Sequence, residues 1–341
     1  MFTMEEIRLT QFSKGSGCGC KIAPSVLQEI LGQHKLSPDG GKVLVGNNSA
    51  DDAAVYELEN GQCLISTTDF FTPIVDDAFT FGQIAAANAL SDVWAMGGDP
   101  VFALAILGWP VGKLPTELAS RIMEGARSKC AEVGVVIAGG HSIDIPEPVF
   151  GLSVNGFVQK TYLKRNSTPQ HNDVLFISKP LGIGILSTAQ KRGLLQSDEY
   201  AVLLQAITAL NTQGAQWGKL TEVHAMTDIT GFGLIGHLLE MLAETPLSAE
   251  LNYTAIPLLD PVKKYTAQFV YPDNTMRNWS AFQGDVEGIN GESLLTLCDP
   301  QTNGGLLVAV DADAADHFEQ SFPVFRIGKI IASGEKKILI R

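Results

Sequence analysis

The stretch AVYELENGQCLIST, residues 54–67, decides the fold of the first half of the chain. Two β-rich runs flank Asn60-Gly61, the strongest short-range signal for a two-residue hairpin turn, because both central residues of such a turn need positive φ. Counting outward, Glu59 faces Gln62 and the partner numbers across the ladder keep a constant sum. Asp52 then falls opposite Asp69, with Asp51 beside it. Like charges directly opposite one another are unfavourable in a sheet. Two readings stay open on this count: solvated acids at frayed strand ends, or oxygen ligands for a divalent cation. Mg²⁺ takes one or two carboxylates together with phosphate oxygens.

Working outward, short β-rich runs (AAVYEL, CLISTTD, VFALAILGW, VVIAGG, VFGLSVNGFV) alternate with helical patterns at Ala78 to Met96 and Thr116 to Val133, one α/β unit. A polar stretch from Gln159 to Asp173 reads as a connection. A second α/β unit follows: the strand VLFISKP, a helix from about Ile183, one long helix from about Asp198 to Trp217, the strand HAMTDIT, a helix at Leu234 to Leu242, and C-terminal strands. No low-complexity segment or strong internal repeat is visible. The fold class is α/β with two units, in keeping with 341 residues.

More acids stand where chemistry would use them. Asn88 and Asp92 are four apart and share one helical face beside Ala85, Ala86 and Ala89. Asp228 ends an apolar strand just before a glycine turn, the edge where α/β proteins bind ligands. Gly231, Gly233 and Gly236 satisfy G-x-G-x-x-G, but no clean strand ending in an acid follows, which argues against a dinucleotide site. No G-x-x-x-x-G-K-[ST] exists either. AGGHS (Ala138 to Ser142) and DPQTNGG (Asp299 to Gly305) allow two readings, backbone amides that meet a phosphate or an ordinary turn, of which the turn is the expectation. KGSGCGCK, residues 14–21, sets Cys18 and Cys20 one residue apart among glycines beside Lys21, which makes a mobile thiol next to a cation.

A net charge of −13 argues against nucleic-acid and anionic-membrane partners, which need a basic surface. The apolar runs are too short to span a membrane and MFTMEEIRLTQF lacks the character of a signal peptide, so a cytoplasmic protein is expected. Five scattered cysteines favour reduced thiols.

Taken in order, RLTQFS, GCGCK, DDAAVY, STTDFF, NALSDVWAMGG, AILGWP, AGGHSID, KPLGIG, AMTDITGFGLIGHLLEM and CDPQTNGG closely resemble the selenophosphate synthetase (selenide, water dikinase) family, from about Arg8 to the C-terminus. The resemblance implies the fold of aminoimidazole ribonucleotide synthetase, with an N-terminal domain that forms a β-barrel across a homodimer and a C-terminal α/β domain. It implies that ATP, selenide and water give selenophosphate, AMP and orthophosphate, for selenocysteine and selenouridine synthesis. Carried over by position, it makes Cys18 the nucleophile and Lys21 essential, and it assigns Mg²⁺ to Asp52, Asp92 and Asp228. ATP contacts fall on Lys21, Ser49, Ala50, Asp51, Asp69, Asp92, Gly140, His141 and Ser142. A selenium-delivery protein is a further expected partner. The expected division is a flexible glycine-rich segment (1–48), a nucleotide- and metal-binding dimerisation domain (49–160) and the C-terminal domain (170–341). One departure is Asn303, where the family's usual form has Ser. GCGCK is what speaks against related ATP-dependent enzymes such as thiamine-phosphate kinase.

Overall fold

The hairpin of residues 54–67 forms, but around a longer turn than expected. In a computed structural model describing residues 7–12, 17, 30, 42–46 and 51–341, Glu59–Gly61 makes a three-residue connection. Asn60 and Gly61 both take positive φ (65° and 73°), and Leu58 N–H donates to Gln62 O at 2.8 Å. Drawing Glu59 into the loop shifts every partner by one, so Ala54 pairs with Ser66 and Glu57 with Cys63. The expected pairing of Asp52 with Asp69 is therefore wrong. The ladder ends at Ala54, and Asp69 pairs with Leu152 on its other side. A one-residue slip exchanges the faces of a strand; here it leaves Cys63, Ile65 and Thr67 inward, and Asp69 shares their parity.

The first unit runs β1 (Val43–Val45), β2 (Ala54–Glu57), β3 (Gln62–Phe71), α1 (Ala78–Ala95), β4 (Asp99–Trp109), α2 (Thr116–Ala131), β5 (Val136–Asp144) and β6 (Val149–Gln159). Its six strands lie in the order β1-β2-β3-β6-β4-β5, antiparallel except for β4 with β5. AGGHS, expected as a turn, is the middle of β5 and is solvent-exposed at the sheet edge. Helix α1 is buried almost all round, as a helix enclosed by two layers must be. It crosses α2 so closely that a Cβ on Gly82 would lie 1.9 Å from Ile122 O, and one on Gly125 would lie 1.9 Å from Phe79 O.

The second unit runs β7 (Val174–Ile177), α3 (Ile183–Lys191), α4 (Ser197–Thr208), α5 (Gln213–Trp217), β8 (Val223–Asp228), α6 (Gly233–Leu242), β9 (Ser248–Leu251), α7 (Val262–Thr266), α8 (Asp273–Phe282), β10 (Val286–Glu287), α9 (Gly291–Leu297), β11 (Leu306–Val310), α10 (Ala315–Ser321), β12 (Phe325–Ile331) and β13 (Ile338–Ile340). Its seven strands lie in the order β10-β13-β9-β12-β7-β11-β8. Every residue of β11 is buried, since one core packs on each face of the sheet. The expected long helix from Asp198 to Trp217 is broken at Ala209–Thr212, where Asn211 turns its amide to Ser91 and to Gly304 O instead of continuing the helix. Residues 159–173 are more than a connection. Lys164 is buried with Nζ on Leu220 O and Val223 O, and Asn166 N–H donates to Asp51 Oδ1 at 2.8 Å.

Candidate active site

Helix α1 carries a polar stripe, Asn88, Ser91 and Asp92, at the three- and four-residue spacing that puts side chains on one face. One end of it meets the inner face of β3. Thr67 Oγ1 donates to Asp92 Oδ2 at 2.5 Å, and Asn88 Nδ2 donates to Asp69 Oδ2 at 2.5 Å. The sequence placed Asn88 and Asp92 correctly on one face, but Thr67 carried no signal beyond its strand parity.

From the second sheet, the edge strand β8 ends at Asp228, opposite Leu306. Thr227, just before it, donates to Asp52 Oδ1 at 2.7 Å. That bond ties the end of β8 to the loop before β2 and brings acids from both halves together. Asp52 Oδ2 is buried and has no hydrogen-bond partner among the described residues. Burial above all, then the carboxylates of Asp228 and Asp92, push the Asp52 carboxyl well above its usual range; Thr227 pulls it back and Asp51 adds a smaller push. Buried like charges stay ionised only when something cationic compensates them. The donors are hard oxygens, the kind that Mg²⁺ takes. Among the described residues, no three His, Cys, Asp or Glu side chains form a ready-made metal cage.

Lys179 was not singled out in the sequence. It follows strand β7 in SKPLGIG and is buried, with Nζ donating to Ala209 O at 2.7 Å and Asn303 O at 3.0 Å. Desolvation pulls its ammonium down to about 7, against the attraction of Asp228. Its one sequence signal was a cation placed directly between an apolar strand and a glycine turn.

Gly140, His141 and Ser142 do not join this group within one chain. They lie exposed on β5, which two strands separate from β3, roughly 14 Å at the usual strand spacing. Cys18, Cys20, Lys21, Ser49 and Ala50 lie outside the described residues. Gly17, the residue before Cys18, is described. Its N–H donates to Thr72 O at 3.2 Å, just past the end of β3, and a Cβ there would lie 2.5 Å from Thr302 Oγ1.

Residues 50–158 match the family model "AIR synthase related protein, N-terminal domain", and residues 170–341 match "AIR synthase related protein, C-terminal domain". A protein of Pseudomonas putida named selenide, water dikinase is 49% identical over 332 residues, covering 96% of each chain. The chain belongs to the selenide, water dikinase family. Another member, from Aeromonas hydrophila, is 51% identical over 311 residues, covering 91% of this chain and 90% of its own. The family's fold extends to more distant solved structures. AaThiL complexed with AMPPCP and TMP aligns with TM-score 0.69 at 18% identity, covering 93% of this chain and 91% of its own. Escherichia coli HypE aligns with TM-score 0.65 at 18% identity, covering 92% and 91%. No helix among the described residues is long and apolar enough to cross a membrane.

Proposed function

We propose that the protein makes selenophosphate from ATP, selenide and water, releasing AMP and orthophosphate, and so supplies the selenium donor for selenocysteine and selenouridine synthesis. The observation that carries this reading is the identity of 49% and 51% with proteins named selenide, water dikinase over nearly the whole chain. The acid cluster supports it in chemical terms. ATP is a polyanion and the chain already carries a net charge of −13, so acids at its binding site make sense only around bound cations.

In this reading Asp52, Asp92 and Asp228 hold Mg²⁺, while Lys21, Ser49, Ala50, Asp51, Asp69 and Asp92 meet the nucleotide. Bound there, Mg²⁺ supplies the countercharge that phosphoryl transfer requires. The chain's own groups do the positioning. Thr227 orients Asp52, Thr67 orients Asp92, and Asn88 holds Asp69. Lys21 brings a positive charge to a phosphate oxygen, and Cys18 is the thiol that handles selenium.

The rest of the reading concerns organisation. Residues 1–48 form the thiol-bearing segment, 49–160 the dimerising domain and 170–341 the C-terminal domain. The molecule is a cytoplasmic homodimer whose first sheets close into a barrel, and it receives selenium from a delivery protein. Cys63, Cys130 and Cys298 are free thiols, in keeping with a reducing compartment. The test is to measure AMP formed from ATP with and without selenide, and selenophosphate by ³¹P NMR. AMP that does not depend on selenide, or no selenophosphate, would overturn the reading.

A further inference from the structure

The two halves of the acid cluster come from different sheets. Asp69 and Asp92 belong to β3 and α1, whereas Asp228 ends β8. Phosphate-bridging acids must keep a fixed separation, so some part of the molecule has to set it. The polar stripe of α1 touches the second unit at two points one helical turn apart. The Asn303 N–H donates to Asn88 Oδ1 at 2.7 Å. Asn211 Nδ2 donates to Ser91 Oγ at 2.8 Å and to Gly304 O at 2.9 Å. Two consecutive residues of one turn, Asn303 and Gly304, thus reach the helix by separate routes.

That turn is itself fixed. Asn303 adopts φ 50°, a left-handed conformation that Asn accepts more readily than most side chains. Its Nδ2 donates to Ile207 O and Ala209 O, the carbonyls left open where α4 ends. Its own carbonyl accepts from Lys179, which the Asp228 charge also reaches. Every member is deeply buried: Asn88, Asn211 and Asn303 are each 0% exposed.

We propose that Asn88 is a positioning residue that locks the two halves of the acid cluster together. Its amide spans the junction: the oxygen accepts from the turn of the second unit and the nitrogen holds the Asp69 carboxylate. Leu306, three residues beyond Asn303, pairs with Asp228, so Asn88 ties the segment that seats Asp228 to the Asp69 carboxylate. The role rests on the reading above for which acids meet nucleotide and metal.

The test uses the full-length protein and follows binding of a fluorescent ATP analogue across a Mg²⁺ titration. Asn88→Ala should remain folded by circular dichroism and raise half-saturating Mg²⁺ roughly tenfold or more, the range seen when partners of ligand groups are removed. The deciding measurement is a double-mutant cycle with Asp69→Asn. If Asn88 acts through Asp69, adding Asn88→Ala to Asp69→Asn costs little more, whereas a merely structural residue gives additive losses. Additive losses, or an unchanged Mg²⁺ midpoint in the folded variant, would overturn the proposal. Should Asn88→Ala not fold, Asn88→Asp carries the same decision, since it keeps the acceptor for Asn303 but sets a carboxylate oxygen against Asp69. A wild-type protein that makes no selenide-dependent AMP would sink the proposed function, and the cycle, read by nucleotide binding, would still decide the role of Asn88.

Discussion

Asp52 is buried beside Asp228, Asp92 and Asp51, and its own oxygen Oδ2 accepts no hydrogen bond from the described residues. An arrangement that disfavours its own charge is a poor way to stabilise a fold and a good way to attract a cation. Asp52→Asn removes the charge while nearly keeping the shape. It should melt at a higher temperature than wild type in metal-free buffer, and it should lose Mg²⁺-dependent ATP binding. Calorimetry beside a nucleotide titration checks both, and an unchanged titration would remove Asp52 from the metal site.

Within GCGCK, Cys18→Ser keeps the size but supplies almost no anion at neutral pH. It should abolish selenophosphate formation and leave ATP binding, whereas Cys20→Ser should be milder; ³¹P detection of product for both variants decides.

Asp299 offers a separate pH signature. Burial pushes its carboxyl up to about 8, against the hydrogen bonds from Gln301 and the amides of Ile185 and Gly184. The folded chain therefore holds a proton that the unfolded chain releases near the ordinary carboxyl value of about 3.9. The stability this group contributes is complete below that value and is lost as pH rises through about 8. Urea midpoints should fall across that window in wild type, and Asp299→Asn should fall less.

Asp92 was legible on a helical face and Asp228 at a strand end, whereas Asp52 and Asp69 were singled out by a register that is one residue off. Thr67, Thr227 and Lys179 were not legible, because a hydroxyl or ammonium shows its role only when tertiary contact supplies a partner.

At the scale of elements, the alternation of runs gave β2, β3, β4, β6 and both long helices of the first unit within a residue or two, but it missed the short β1 and cut β5 at Gly140, four residues early. Two errors share a cause. The hairpin slipped by one because Asn-Gly fits a three-residue loop as well as a two-residue one, and nothing local chooses between them. The long helix broke because Asn211 found partners more than ninety residues away in sequence, at Ser91 and Gly304. Long-range satisfaction of polar groups overrides local propensity.

The same contact logic fixes the α1–α2 crossing, where each backbone sits against a glycine of the other helix. Gly82→Ala gains helix propensity but drives a Cβ to 1.9 Å from the Ile122 carbonyl. Backbone cannot yield as a flexible side chain can, so the variant should lose about 1–3 kcal/mol. Gly291, at the start of α9, has open space for 4 Å around the point where a Cβ would stand; Gly291→Ala should leave the urea midpoint at or above wild type.

At the scale of the whole molecule, the first sheet leaves an unusual surface. Its edge strand β5 is exposed along nearly its whole length, and Val136 and Ile143 on it are 64% and 52% exposed. Next to it, Phe102 and Leu104 of β4 are also exposed. A long apolar edge invites pairing with a second chain. Gly140, His141 and Ser142 lie on that edge, too far along the sheet to serve the acid cluster of their own chain. A second copy related by a two-fold axis would cover the apolar strand and could bring those residues to its partner's nucleotide.

The dimer is checked by sedimentation at micromolar concentration, and complementation checks the shared site. In a heterodimer of Asp52→Asn with His141→Ala, a partner-fed design leaves one site with an intact Asp52 from one chain and an intact His141 from the other. Both damaged groups fall in the second site. Random pairing of the two inactive variants then restores about a quarter of wild-type activity, since half the dimers are mixed and each has one working site of two. If each chain uses its own His141, every site in the mixture carries one lesion and no activity returns. Recovery on co-expression would therefore establish that the edge strand serves the opposite protomer, and its absence in dimers shown to be mixed would confine the site to a single chain.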